Sequence, residues 1–313
     1  MVDHLEILLL LALPASGKSE VRRYLDHLDP ERARREMALG PTAQLDDYPY
    51  VHLMRRISQE LMALGEDPVF FATDEAPWQE PLDWLTLIHL INDDFAQMVS
   101  GGGKQQTPSG LLDRFDRARV LAGASAPFHA LDRRARAAIE SRIKADVAAL
   151  NPIAAAAADS TIIIEFARGG PVNAGLPFPH PFGYAASIVT LSEEIRAGMS
   201  VLYVWVNPEE SRRRNRDRAI SGPEGDASIL HHGVPEAVMT HDYGTDDMSW
   251  LESRARIPGT IPVGPDDVSM QRFDNRVDRT SFLRADPSKW PDEAVDTLHR
   301  DLSAALLRLA NGR

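Results

Sequence analysis

The sequence predicts an α/β fold built on a mostly parallel sheet. Three observations lead there. Strand-length apolar runs occur at residues 6–13, 160–166 and 201–207. Each is followed by a stretch with helical periodicity, and the first junction carries a Gly-Lys-Ser turn, Gly17-Lys18-Ser19. Continuous apolar runs suit strands covered on both faces, and their alternation with helices implies right-handed crossovers between parallel neighbours.

The elements follow in order. After the first strand, residues 17–28 place Val21, Tyr24, Leu25 and Leu28 on one helical stripe, ended by Asp29-Pro30. Residues 32–40 read as a second short helix. Residues 42–50 read as a short strand with an acidic exit, Asp46-Asp47. Residues 51–64 return to helix, stopped by Gly65.

From 66 to 158 the pattern is helical, with a helix at 82–99, a flexible 100–110 and a long helix at 131–150 carrying Leu131, Ala135, Ile139, Ile143, Val147 and Leu150. The one strand-like stretch there is 69–72. Beyond the strand at 160–166 come an irregular Pro-rich loop (171–183), a helix (184–198), the strand at 201–207 and a helix opened by Pro208 with two acids (208–220). A last short strand is expected within 260–275 and a closing helix at 291–309. The expected organisation is an α/β core from 1–65 and 159–313, interrupted by a helical insertion or cap at 66–158.

Composition narrows the function. The 313 residues carry a net charge of −12 and no cysteine. The acidic balance argues against a general nucleic-acid binder. The lack of cysteine excludes disulfides, thiolate metal sites and a Cys nucleophile, and fits a reducing cytoplasm. The first apolar run has an acidic leader where a signal peptide needs positive charge, and no run reaches membrane-span length.

The strongest chemical signal is the stretch Leu13-Pro14-Ala15-Ser16-Gly17-Lys18-Ser19 between a strand and a helix. A phosphate-binding loop needs that context: backbone N–H groups of residues 15–19 turn toward phosphate oxygens at a helix N-terminus, Lys18 meets the β- and γ-phosphates, and the Ser19 hydroxyl holds Mg²⁺. Pro14 and Glu20 flank the same nucleotide contact. Ala12 stands where such loops usually open with glycine. At a strand end the backbone stays extended, so alanine is tolerable.

This stretch resembles P-loop kinases of the nucleoside, nucleotide and small-molecule type. The resemblance covers 1–60 and 160–313 by motif order, and 66–158 has no counterpart. It implies a three-layer fold with a five-stranded sheet in the order 2-3-1-4-5, and ATP and Mg²⁺ as cofactors. It also implies roles for further residues. Glu165 at a strand end would hold Mg²⁺ with Ser19, with Arg168 just beyond. Arg214 and Arg218, in a helix with five arginines among residues 212–218, would close on the phosphoryl group as a lid. Asn275, after Phe273-Asp274, would contact adenine.

On the acceptor side, Asp46 is favoured as base or positioning group, with Asp47 as the alternate, because adjacent strand positions face opposite ways. Asp246-Asp247 either line the acceptor pocket or cap a helix at Met248. The loop 171–183, with Asn173 and His180, is a candidate specificity loop. His231-His232 and His241 form no familiar metal spacing.

The expected function is an ATP- and Mg²⁺-dependent phosphotransferase acting on a small-molecule acceptor such as a nucleoside, nucleotide or nucleotide-sugar, the last as in zeta-toxin-type kinases. A regulatory NTPase and an ATP-binding interaction module are the alternatives. Its partners would be the nucleoside triphosphate and the acceptor, with neither membrane nor nucleic acid.

Overall fold

The structure is a computed structural model that describes residues 4–220 and 233–312; His231 and His232 lie outside the described residues. Its centre is a six-stranded sheet in the order β2-β3-β1-β4-β6-β5, from β1 (Ile7–Leu11), β2 (Thr42–Asp46), β3 (Thr161–Phe166), β4 (Met199–Trp205), β5 (Thr260–Val263) and β6 (Asp266–Asp274). All neighbours are parallel except β5 and β6.

The expected five strands in the order 2-3-1-4-5 therefore need correction. Residues 260–274 form two strands, not one, because Gly264 takes a left-handed φ of 61° and Pro265 follows it, turning the chain back on itself. The added strand lies at the edge, beyond the last parallel one. Its Ile261 and Val263 join Val268 and Met270 in the core.

Alternate side chains along each strand feed two cores, one per face. On one face Leu8, Leu10, Ile163, Leu202 and Val204 meet α1 (Lys18–His27), α2 (Pro30–Met37) and α14 (Asp292–Asn311). On the other, Leu9, Leu11, Ile162, Ile164, Val201 and Tyr203 meet α4 (Asp83–Val99), α9 (Gly183–Thr190), α10 (Glu193–Gly198) and α13 (Met248–Ser253). β1 and β3 are buried along their whole length, which is why their sequences are apolar without alternation.

A third core is helical. It joins α3 (Tyr48–Leu64) to α4, α5 (Pro108–Leu121), α6 (Pro127–Ala130), α7 (Arg133–Arg142) and α8 (Lys144–Ala149). Helix α4 serves two cores: Ile88, Ile91 and Phe95 face the sheet, while Trp84, Leu87 and Leu90 face the helices.

Several local expectations differ from what is observed. The strand expected at 42–50 ends at Asp46, and Tyr48, Pro49 and Tyr50 open α3. The long helix expected at 131–150 breaks at Ile143 into α7 and α8. The helix expected at 184–198 breaks after Thr190, where the Ser192 hydroxyl caps a new start at Ile195 N–H. Residues 69–72 form no strand, only a single bridge between Phe71 and Trp78. No helix of the described residues is long and apolar enough to cross a membrane.

Candidate functional site

β1 ends inside the sheet, and the chain turns at once through residues 12–17 into α1. Ala12 is fully buried and keeps an ordinary negative-φ backbone, so the position needs no glycine. Two other positions do bend left. Gly17 has φ 97°, and a Cβ there would collide with Thr280 Oγ1 and Asn275 Nδ2. Ala15 has φ 57°, which is unusual for a residue with a Cβ.

The loop is braced from two sides. The Ser211 hydroxyl, in α11 (Pro208–Ile220), donates to the Pro14 carbonyl at 2.7 Å, and Asn275 Nδ2 donates to the Ser16 carbonyl at 2.8 Å.

Register sets what faces the loop. Parallel pairing puts Glu165 of β3 opposite both Leu10 of β1 and Asp46 of β2, at the carboxyl edge of the sheet. Paired positions share a face, so both acids point toward α1. Lys18 Nζ lies 3.5 Å from Glu165 Oε1, and the Ser19 hydroxyl donates to the same oxygen at 3.4 Å. Arg22 Nη1 stands 3.2 Å from Asp46 Oδ2 and 3.0 Å from Glu165 Oε2. Two carboxylates and two cations thus form one cluster. Burial pushes the Glu165 carboxyl above its usual range; Lys18 pulls it down and Asp46 pushes it up. Burial and Asp47 also raise Asp46, against Lys18 and Arg22.

The two adjacent aspartates take different partners: Asp46 closes β2, while Asp47 has a helical backbone (φ −83°, ψ −12°) just before α3. Asp46 turns to Arg22 and accepts the Tyr48 N–H at 2.8 Å. Asp47 turns the other way, to Arg168, whose Nη1 donates to its Oδ2 at 2.7 Å.

Above this cluster lies a cleft of about 370 Å³. One end is residues 13–20 with Asp46, Asp47, Glu165 and Arg218. The other is formed by Tyr48, Val51, His52 and Arg55 of α3, by Phe71, Asp74 and Trp78 of the following loop, by Trp84, and by Tyr243 after α12 (Glu236–His241). The rings Phe71, Trp78, Trp84 and Tyr243 meet in sequence, with centroids 4.2, 5.4 and 5.5 Å apart.

Several expected site residues sit elsewhere. Arg168 is 1% exposed; it donates to Asp47, Ser187 and the Ala167 and Trp84 carbonyls, and so stays behind the cleft wall. Arg214 is held by Glu210 and by the Asn275 and Arg276 carbonyls, away from the cleft. Asn275 is fully buried and supports the loop from behind, leaving no side-chain surface for adenine. Glu20 keeps its place at the loop but spends Oε1 on two guanidinium groups, Arg218 at 2.8 Å and Arg284 at 2.7 Å.

Asp246 accepts the Tyr203 hydroxyl and the Met248 N–H, and Asp247 caps α9 through the Tyr184 and Ala185 N–H groups. His241 pairs with Asp242. Residues 171–183 supply nothing to the cleft.

The donor set fits a hard cation bound together with phosphate. Ser19 Oγ and the Glu165 carboxylate offer adjacent oxygens, the ligand type that Mg²⁺ takes while keeping several waters. No self-contained cluster of three metal-ligating side chains occurs among the described residues. Two buried donors of the cleft, Ser16 Oγ and Arg218 Nε, have no hydrogen-bond partner, an arrangement that an anion would relieve.

Sequence reasoning missed Arg22, although it lies four residues after Lys18 on the same helical face. It also missed the stripe of Tyr48, Val51, His52 and Arg55, which has helical spacing. Three of the rings, Phe71, Trp78 and Trp84, lie within residues 71–84 and were missed because no helical or strand period joins them; Tyr243 comes from a distant segment. Compared by sequence, the chain matches no protein-family model and no curated protein.

Proposed function

We propose that the protein is an ATP- and Mg²⁺-dependent phosphotransferase acting on a small-molecule acceptor. One observation supports this above the others: Lys18 and Ser19, at the start of α1, meet Glu165 across the sheet edge within 3.5 Å, beside a cleft lined also by Asp46, Asp47 and α3.

The residues divide the work. Backbone N–H groups of the loop and Lys18 hold the donor phosphates, and Arg218 supplies a second cation at the same end. Mg²⁺ held by Ser19 and Glu165 would neutralise charge on the phosphates. Asp46, oriented by Arg22, accepts the hydrogen bond of the attacking hydroxyl and takes its proton. Arg168 and Asp47 fix the floor between the two ends. The chain's lack of cysteine suits a cytoplasmic setting.

The test is a transfer screen with γ-labelled ATP against nucleosides, nucleotides, sugars and nucleotide-sugars. Label should move to an acceptor with the parent chain and not with Lys18→Ala. ATP turnover that needs no acceptor would point to an NTPase. Binding without turnover would point to an interaction module.

A further inference from the structure

Three cations line the cleft among the described residues, besides His52: Lys18, Arg218 and Arg55. Lys18 faces Glu165 and Arg218 faces Glu20. Arg55 has no carboxylate within 4 Å among the described residues. Its Nη1 and Nη2 donate to the Asp74 and Ala76 carbonyls, and its guanidinium lies 4.0 Å from the centroid of the Phe71 ring. The Asp74 side chain turns instead to Gln59. Arg55 is thus held flat, in place and without a counter-charge. Burial pulls its pKa down, and Asp74, Tyr243 and Asp242 do not make up the difference. A half-buried, preorganised and unneutralised guanidinium beside a ring wall is the arrangement that recognises an anion.

Its place on α3 sets a side of the cleft. Arg55 lies about two turns beyond Tyr48 on the same helix. Tyr48 in turn follows Asp46 and Asp47, where the acceptor hydroxyl would sit.

We infer that Arg55 is the acceptor-specificity residue, binding a phosphate or carboxylate that the acceptor carries away from its reacting hydroxyl. Phe71, Trp78, Trp84 and Tyr243 then cover the part of the acceptor between these two points. The position of the hydroxyl rests on the proposed phosphotransferase activity; the anion site at Arg55 does not.

The experiment uses matched pairs, nucleosides with their 5′-mono- and diphosphates and aryl alcohols with the corresponding carboxylates. Each is titrated by calorimetry without ATP into the parent, Arg55→Met and Lys18→Ala chains. The Lys18→Ala titration identifies anions taken by the phosphate loop. At least one anionic member should bind tenfold or more tighter than its neutral partner in both the parent and Lys18→Ala. In Arg55→Met that preference should fall about ten- to a hundredfold, with Mg-ATP affinity unchanged. If Arg55→Met does not fold, Arg55→Gln, which keeps a donor for the loop carbonyls, carries the same test.

Phosphate and carboxylate members separate the two anion sources. Equal binding of neutral and anionic members, a preference that survives Arg55→Met, or no binding of any anionic member at millimolar concentration overturns the inference. ATP-dependent transfer on the same series separates it from the activity. Anion preference without transfer keeps Arg55 and removes the phosphotransferase; transfer to neutral acceptors alone does the reverse. Where transfer occurs, Arg55→Met should raise KM for the anionic acceptor far more than it lowers kcat, a split that a purely structural role would not give.

Discussion

The two ends of the cleft are built in different ways. The phosphate end comes from one contiguous stretch, residues 13–20, plus two strand-end acids whose positions follow from register. The ring end is assembled from α3, a loop, α4 and a segment after α12, with no two of its rings adjacent in sequence. The first end consists of charges already matched to one another, Lys18 and Arg22 against Glu165 and Asp46. The second consists of aromatic rings with Tyr48, Val51, His52 and Asp74, and of Arg55, which has no carboxylate within 4 Å among the described residues. The contrast teaches that the loop end is set by a local stretch and strand register, whereas the ring end depends on how the helical layer packs against α3.

Lys18→Ala offers the largest way to break the comparison. It should lower kcat/KM by about three orders of magnitude or more, with the melting temperature held, because Lys18 is part of the charge cluster and not of an apolar core. Steady-state kinetics with a thermal melt checks both halves.

The adjacent aspartates sharpen it. Asp46→Asn should lower kcat by about a hundredfold or more while leaving ATP affinity and stability nearly unchanged. Asp47→Asn should do the opposite. It leaves the buried Arg168 without its counter-charge and should cost about 3 kcal/mol of stability in denaturant unfolding. Equal effects of the two variants would contradict the opposite facing of the pair.

At the ring end, Asp242 gives a pH test. Burial pushes its carboxyl up to about 6, against the pull of His241. The folded chain then keeps this proton to higher pH than the unfolded chain, which releases it near pH 4. Stability from this group is full below about pH 4 and is lost as pH rises to about 6. Asp242→Asn should therefore gain stability relative to the parent across that window, by no more than about 3 kcal/mol. Denaturant curves at pH 4.5 and 7 would show it; a difference that does not change with pH would contradict it.

The smallest effect belongs to the loop itself. Ala15→Gly should raise stability by at most about 1 kcal/mol, because glycine adopts the left-handed φ without the Cβ penalty. Gly17→Ala should destabilise the loop, since its Cβ would strike Asn275 and Thr280.

Legibility in the sequence follows the same divide. The strands β1, β3 and β4, the loop and Glu165 are local signals, apolar runs and a fixed spacing, and they lie where those signals put them. Residue type and spacing leave Asp46 and Asp47 as alternatives, and only the tertiary partners, Arg22 for one and Arg168 for the other, tell them apart. Residues 260–275 predict one short strand where two form, because the turn at Gly264-Pro265 separates segments of which the first is only four residues long. Arg168, Arg214 and Asn275 have the right residue type near the right place. Whether an arginine faces a cleft or a carbonyl is decided by tertiary neighbours such as Asp47, Ser187 and the turn after β6. The ring wall joins three rings of the irregular stretch 71–84 to the distant Tyr243, so periodicity carries no trace of it.

The most direct test of the central claim is Mg-ATP binding by calorimetry to the parent chain and to Lys18→Ala. The account predicts binding by the parent that depends on Mg²⁺ and weakens about a hundredfold or more in the variant. Equal affinity in the two chains, or no binding of Mg-ATP by the parent, would contradict it.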